Sequence, residues 1–118
     1  MLTEAYAAAE ELCKEGIDAE IIDPRTLRPL DEKIILASVA KTGRLIVADT
    51  GWKTGGVTAE ITAMVCEKAF SSLKAPVQRV ACPDVPTPAG YTLEDAFYRG
   101  KNDLITAAHL ALNGKCNG

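Results

Sequence analysis

Hydrophobic positions along the chain alternate between helical and extended spacing. Apolar residues recur at helical spacing over 2–15, 31–43, 57–70 and 102–112, which predicts four helices. Three short apolar runs between them, AEIID (19–23), RLIVAD (44–49) and PVQRVA (76–81), have the length and β-branched content of buried strands. A short turn is expected near 93–98. Strands that alternate with helices predict a parallel sheet with helices on its faces.

Three loops are predicted to meet at one edge of this sheet. Right-handed crossovers bring the carboxyl ends of parallel strands together, so loops 24–30, 50–56 and 82–91 share that edge. Ligands of open α/β sheets bind at this edge. It is therefore expected to gather the residues with candidate chemistry: Arg25, Arg28, Asp49, Trp52, Lys53, Gly55, Gly56 and Asp84.

The middle loop, GWKTGG (51–56), ends in two glycines directly before a helix. The free N–H groups and the positive dipole end of a helix suit an anion. The loop is neither a Walker motif nor GxGxxG, and most glycine turns only reverse the chain. The arginines also have a plainer interpretation, as surface residues paired with Asp23 or Asp31. The candidate anion-binding site consists of Arg25, Arg28, Gly55 and Gly56.

Trp52 in the same loop has two interpretations. It can fold over the sheet edge as a lid on the core. It can also anchor a partner protein, because tryptophan is over-represented among interface hot spots. In the second case its neighbour Lys53, and Asp84 of the third loop, belong to the same partner-binding surface.

Composition narrows the class of function. A chain of 118 residues fits one domain, expected over 1–113 with a flexible tail over 114–118. The net charge is −3, whereas nucleic-acid-binding proteins carry a surplus of basic residues, so no nucleic-acid partner is expected. No apolar run reaches the roughly 20 residues of a membrane span, so no membrane partner is expected. The N-terminus lacks a signal segment, and a cytoplasmic location follows as the default.

Neither a metal site nor a catalytic residue is predicted. The four cysteines, Cys13, Cys66, Cys82 and Cys116, are scattered without a CxxC pair, whereas zinc ligands come in close pairs. Cys13 and Cys66 lie in helical apolar patterns and are predicted to be buried thiols. No nucleophile has an adjacent base, and the single histidine, His109, has no residue to work with.

Three blocks of the sequence carry a family resemblance. GIDAEIIDPRTLRPLD, SVAKTGRLIVADTGWKTGGVTAEI and APVQRVACPDVPTP stand in order and at family-like spacing. They closely resemble the C-terminal domain of the beta subunit of thiamine-diphosphate-dependent 2-oxoacid dehydrogenases, which include the pyruvate, branched-chain and acetoin enzymes. Transketolase carries a related domain. The resemblance covers about 4–112 and implies a three-layer α/β/α sandwich with a mostly parallel sheet.

The resemblance also implies a role in assembly. In that family thiamine diphosphate, with its magnesium, lies between the alpha subunit and the N-terminal domain of the beta subunit. This chain is therefore expected to bind no cofactor and to have no activity when isolated. The domain would instead assemble with the alpha subunit and dock the acyltransferase core as a non-catalytic domain. The alternatives are a standalone anion-binding module and a truncated paralogue without activity.

One departure from the family concerns the sheet. The family has an apolar strand before the first helix, in the middle of the sheet, whereas this sequence begins inside that helix. The sheet is therefore expected to lack its first, central parallel strand. Because unpaired backbone groups are costly when buried, we predict a homo-oligomer that forms through exposed strand edges.

Overall fold

The computed structural model describes residues 1–114. Residues 115–118, which contain Cys116 and most of the predicted tail, lie outside the described residues. No helix in the described part of the chain is long and apolar enough to cross a membrane. The elements in chain order are α1 (Leu2–Lys14), α2 (Glu32–Thr42), β1 (Ile46–Trp52), α3 (Val57–Ala69), a 3₁₀ helix (Phe70–Ser72), β2 (Gln78–Cys82), α4 (Tyr91–Phe97) and α5 (Lys101–Leu112).

Capping residues explain where the predicted helices begin and end. The Asp31 carboxylate accepts a hydrogen bond from the backbone N–H of Ile34 at 3.3 Å and so caps α2. Gly43 ends the same helix with a left-handed φ of 72°, a conformation that glycine adopts without penalty. At the other end of the chain, the Glu4 carboxylate of α1 accepts the backbone N–H of Lys101 at 2.7 Å. The first helix thereby supplies a partner to the first turn of α5.

The sheet has two parallel strands between two layers of helices. Ile46 pairs with Gln78 and Ala48 with Val80, and the register shifts before Trp52. Side chains of β1 alternate between the two faces. Val47 contributes to a cluster with residues of α2 and α3, whereas Ile46 and Ala48 pack against residues of α1 and α5. The predicted three-layer α/β/α arrangement is confirmed.

The prediction of a strand over 19–23 is wrong. This segment is neither helix nor strand, although its neighbours are placed as expected. A strand needs a neighbour for its backbone hydrogen bonds. Here two cavities lie between the segment and β1, and residues 18–23 make no backbone–backbone hydrogen bond with any described residue.

The prediction that Cys13 and Cys66 are buried thiols is also wrong, because both are exposed. Each directly follows the last buried residue of its helix, Leu12 in α1 and Val65 in α3. One residue turns a helix by about 100°, which is enough to carry a side chain from the core stripe to solvent. Cys82 of β2 is buried instead.

Candidate functional site

The loops that follow β1 and β2 are joined by a clamp between Thr54 and Asp84. The Asp84 carboxylate accepts the backbone N–H of Thr54 at 3.0 Å and also its hydroxyl. Both hydrogen bonds lower the pKa of Asp84, and the one from the Thr54 hydroxyl has the larger effect. The positive charges of Arg79 and Lys53 lower this pKa further, whereas desolvation of the carboxylate raises it. The expected meeting of these two loops at the carboxyl edge is thus confirmed.

The clamp is reinforced by hydrogen bonds that join the end of β1 and the loop after it to β2. The backbone N–H of Lys53 donates to the carbonyl of Cys82 at 3.0 Å. The Arg79 guanidinium donates to the Lys53 carbonyl at 3.0 Å, and the Cys82 thiol donates to the Thr50 carbonyl at 3.3 Å. The backbone on both sides of Trp52 is therefore held by hydrogen bonds to β2 and to Asp84. We call this hydrogen-bonded backbone the frame of the loop.

The two glycines before α3 are required by the geometry of the turn. Gly55 has a φ of 67°, in the left-handed region. A Cβ atom on Gly56 would lie 2.2 Å from the carbonyl oxygen of Trp52. Both glycines are explained without a ligand.

Trp52 is exposed over 58% of its surface. It therefore does not act as a lid on the core, and its interpretation as a partner anchor stays a prediction. Val85, next to Asp84 in the clamp, is 50% exposed. Two apolar side chains thus flank the clamp in sequence, and Lys53 lies between Trp52 and Thr54 in the chain.

The predicted arginines lie apart from this frame. Arg25 pairs with Asp23, with 3.0 Å between Nε and Oδ2, which confirms the surface interpretation for this residue. Arg28 is exposed. Within residues 1–114, no hydrogen bond, ion pair or cavity joins either arginine to Gly55 or Gly56. An anion site made of these four residues stays a prediction.

A polar cavity beside the clamp contains cations that the sequence analysis did not select. It has a volume of about 280 Å³, and Lys53, Arg79 and Arg99 line it. Arg99 donates to the Ala81 carbonyl at 3.3 Å and pairs with Asp103 at 3.5 Å. The sequence signal for this cavity is the one charged residue inside the predicted strand PVQRVA, which is Arg79.

The remaining candidates for chemistry have structural surroundings. His109 of α5 lies with Nε2 at 2.7 Å from the Glu15 carboxylate at the end of α1. Among residues 1–114, no group of three or more His, Cys, Asp or Glu side chains is arranged to hold a metal ion.

Comparison with known proteins gives concordant matches. The family described as "Transketolase, C-terminal domain" matches residues 1–104. The chain is 47% identical over 107 residues to "Pyruvate dehydrogenase E1 component subunit beta-1, mitochondrial" of Arabidopsis thaliana, covering 91% of the chain and 30% of that protein. It is 41% identical over 114 residues to "Acetoin:2,6-dichlorophenolindophenol oxidoreductase subunit beta" of Cupriavidus necator, covering 97% and 34%. The chain thus spans about a third of the length of these relatives.

Proposed function

Because the chain belongs to the family of transketolase C-terminal domains, we propose that it is a non-catalytic docking domain of a 2-oxoacid dehydrogenase beta subunit. Its partners would be an alpha subunit and the acyltransferase core of the complex. Relatives named as beta subunits of pyruvate dehydrogenase and of an acetoin oxidoreductase support this class of assembly.

One observation carries the proposal. Trp52 is 58% exposed although the backbone on both sides of it is held by hydrogen bonds to β2 and to Asp84. An aromatic side chain on a fixed frame loses little conformational freedom when it binds, which is the property of a hot-spot anchor. Lys53 and Asp84 add charges of both signs next to it.

The cofactor is proposed to bind outside this chain. Thiamine diphosphate is held through a magnesium ion, and magnesium in proteins takes oxygen ligands that include carboxylates. The proposal rests on the family resemblance, in which the cofactor lies between the alpha subunit and the N-terminal domain of the beta subunit. The 2-oxoacid chemistry of the complex would then depend on the alpha subunit and on the part of a beta subunit that this chain does not cover, which is about two thirds of its length.

The docking role is tested with the purified chain and a purified alpha subunit or acyltransferase core by isothermal titration calorimetry. Trp52→Ala should weaken binding by about thirtyfold, which corresponds to about 2 kcal/mol for a hot-spot residue. Phe70→Ala is the matched control, since Phe70 is 72% exposed but follows the opposite end of α3. Equal affinities for the two variants and the parent chain would remove Trp52 as the anchor.

Anion binding is the second candidate, and the cavity at Lys53, Arg79 and Arg99 favours it. Neither Lys53 nor Arg79 forms an ion pair within the described residues, although both charges act on the Asp84 carboxylate, so a bound anion would compete with Asp84 for them. Inorganic phosphate should then raise the melting temperature by mass action, and Arg99→Gln should abolish the rise. A phosphate effect that persists in this variant would place the anion elsewhere.

Two further parts of the proposal rest on the sequence. Self-association of the chain through its exposed strand edges stays a prediction, and sedimentation over a range of concentrations checks it. A cytoplasmic location is proposed as well. Some of the matched relatives have mitochondrial names, so cell fractionation is the measurement that tests this location.

A further inference from the structure

The polar cavity beside the clamp takes its cations from three separate parts of the chain. Lys53 belongs to the loop after β1, Arg79 belongs to β2, and Arg99 lies in the link between α4 and α5. All three residues are partly buried. Positive groups that are distant in sequence therefore meet at one cavity of about 280 Å³.

Both guanidinium groups of the cavity are held from the protein side. Arg79 donates from Nη1 to the Lys53 carbonyl at 3.0 Å, and Arg99 donates from Nε to the Ala81 carbonyl at 3.3 Å. A guanidinium has five N–H groups, so these bonds orient each group and leave donors for a ligand. A planar fork of fixed orientation suits the paired oxygens of a carboxylate or a phosphate.

The lining of the cavity has a surplus of positive charge. Asp103 is the one carboxylate among the described lining residues, beside three cations. Its Oδ2 accepts the backbone N–H of Gly100 at 3.0 Å, and its Oδ1 lies 3.5 Å from the Arg99 guanidinium. Positive groups thus outnumber negative ones by two in the lining. A ligand with two negative charges complements that surplus.

Asp84 competes with a ligand for two of these cations. Its carboxylate attracts Lys53 and Arg79, although Asp84 is not among the lining residues. Both of its oxygens accept hydrogen bonds from Thr54, so the carboxylate is held at the clamp and does not fill the cavity. A ligand must carry enough charge to hold the two cations against Asp84, which also favours a dianion over a monoanion.

The size of the cavity sets a second condition on the ligand. A cavity of about 150 Å³ holds a benzene-sized group, and this one is nearly twice as large. It therefore has room for an organic part besides one anionic group. Val80, Ala81 and Pro83 supply apolar lining for such a part. Pockets for drug-sized ligands begin at about 300 Å³, so the ligand is a small molecule.

We propose that this cavity binds a small organic dianion, in which the charge is carried by a phosphate monoester or by two carboxylates. The inference rests on the anion-binding candidate above and adds the charge and the size of the ligand. Arg79 and Arg99 would hold the anionic oxygens, and Lys53 would add the third positive charge. One bound molecule would then join the loop after β1, strand β2 and the start of α5.

The test compares matched ligands on the 118-residue chain by isothermal titration calorimetry at constant ionic strength. Succinate is paired with succinamate, and glycerol 3-phosphate with its methyl diester, because each second compound keeps the organic part and loses one charge. At least one dianion should bind about tenfold more tightly than its monoanionic partner, as expected for the loss of hydrogen bonds to a charged group. The pair that shows the difference identifies the anionic group.

Variants of single cations locate the binding. Arg99→Gln should weaken binding of the dianion about tenfold. Lys101→Gln is the matched control, since Lys101 carries the same charge in the first turn of α5 but does not line the cavity. Arg99 also contacts Ala81, so Lys53→Gln is a second variant. The Lys53 side chain forms no hydrogen bond or ion pair within residues 1–114, and its loss should weaken binding without affecting the fold.

Inorganic phosphate is the control for size. If it binds as tightly as the organic dianions, the inference is overturned while the anion-binding candidate stands. Equal affinities within both ligand pairs, or equal losses in Arg99→Gln and Lys101→Gln, overturn the inference as well. If none of the anions binds, the anion-binding candidate fails together with the inference. The docking role of Trp52 is tested separately and is independent of these outcomes.

Discussion

Replacing Thr58 with valine should stabilise the chain. Thr58 lies in the first turn of α3, is fully buried, and its hydroxyl has no hydrogen-bond partner among residues 1–114. Burying a polar group without a partner costs about 1–3 kcal/mol. Valine keeps the shape and the β-branch, and its helix propensity is close to that of threonine. The substitution therefore removes the unpaired hydroxyl and changes little else.

The expected gain is about 1–2 kcal/mol in the free energy of unfolding. With an unfolding entropy of about 2.1 cal/mol/K per residue, 1 kcal/mol corresponds to about 4 °C in Tm for 118 residues. Thermal unfolding followed by circular dichroism should therefore show Tm raised by about 4–8 °C. Urea unfolding should show a higher midpoint with an unchanged m value.

The control is the same change one helical turn later. Thr62 donates its hydroxyl to the Thr58 carbonyl at 2.7 Å, so Thr62→Val should leave stability unchanged or lower it by up to about 1 kcal/mol. Thr58→Ser keeps the hydroxyl but removes a methyl group from the core, and it should destabilise. A Thr58→Val chain that is no more stable than the parent would refute the reasoning, because the hydroxyl would then have a partner in solution.

Two further predictions concern the clamp and the cysteines. Because the folded-state pKa of Asp84 is lowered, its contribution to stability is present above the ordinary value of 3.8 and is lost as pH falls through the folded pKa. Asp84→Asn should therefore be less stable than the parent chain at neutral pH, with the difference shrinking in acid; a pH-independent difference in urea unfolding would contradict the clamp. In a Cys116→Ser background, a thiol reagent should modify the exposed Cys13 and Cys66 quickly. The buried Cys82 should react only when the chain unfolds, and equal rates for all three thiols would contradict the burial pattern.

Local signals in the sequence predicted most of the fold. Helix bounds followed from caps such as Asp31 and Gly43, which act within one turn of the chain. The strand over 19–23 was predicted wrongly because a strand needs a backbone partner, and this segment has none among the described residues. The meeting of Thr54 with Asp84 followed from the topology of parallel strands. The cavity at Arg79 and Arg99 could not be predicted, because it depends on how α5 packs against the sheet.

The contact between Glu4 and Lys101 joins residues that lie far apart in sequence. Closing so long a loop is entropically costly, so this contact is expected to form late during folding. The segment from α2 to β2 contains both strands and its own apolar cluster, so it has the contacts to fold first. The two terminal helices would then dock last and detach first. Native-state hydrogen exchange should accordingly be slow for the amides in the segment from α2 to β2. It should be faster for the amides of α1 and α5, which open at lower free energy.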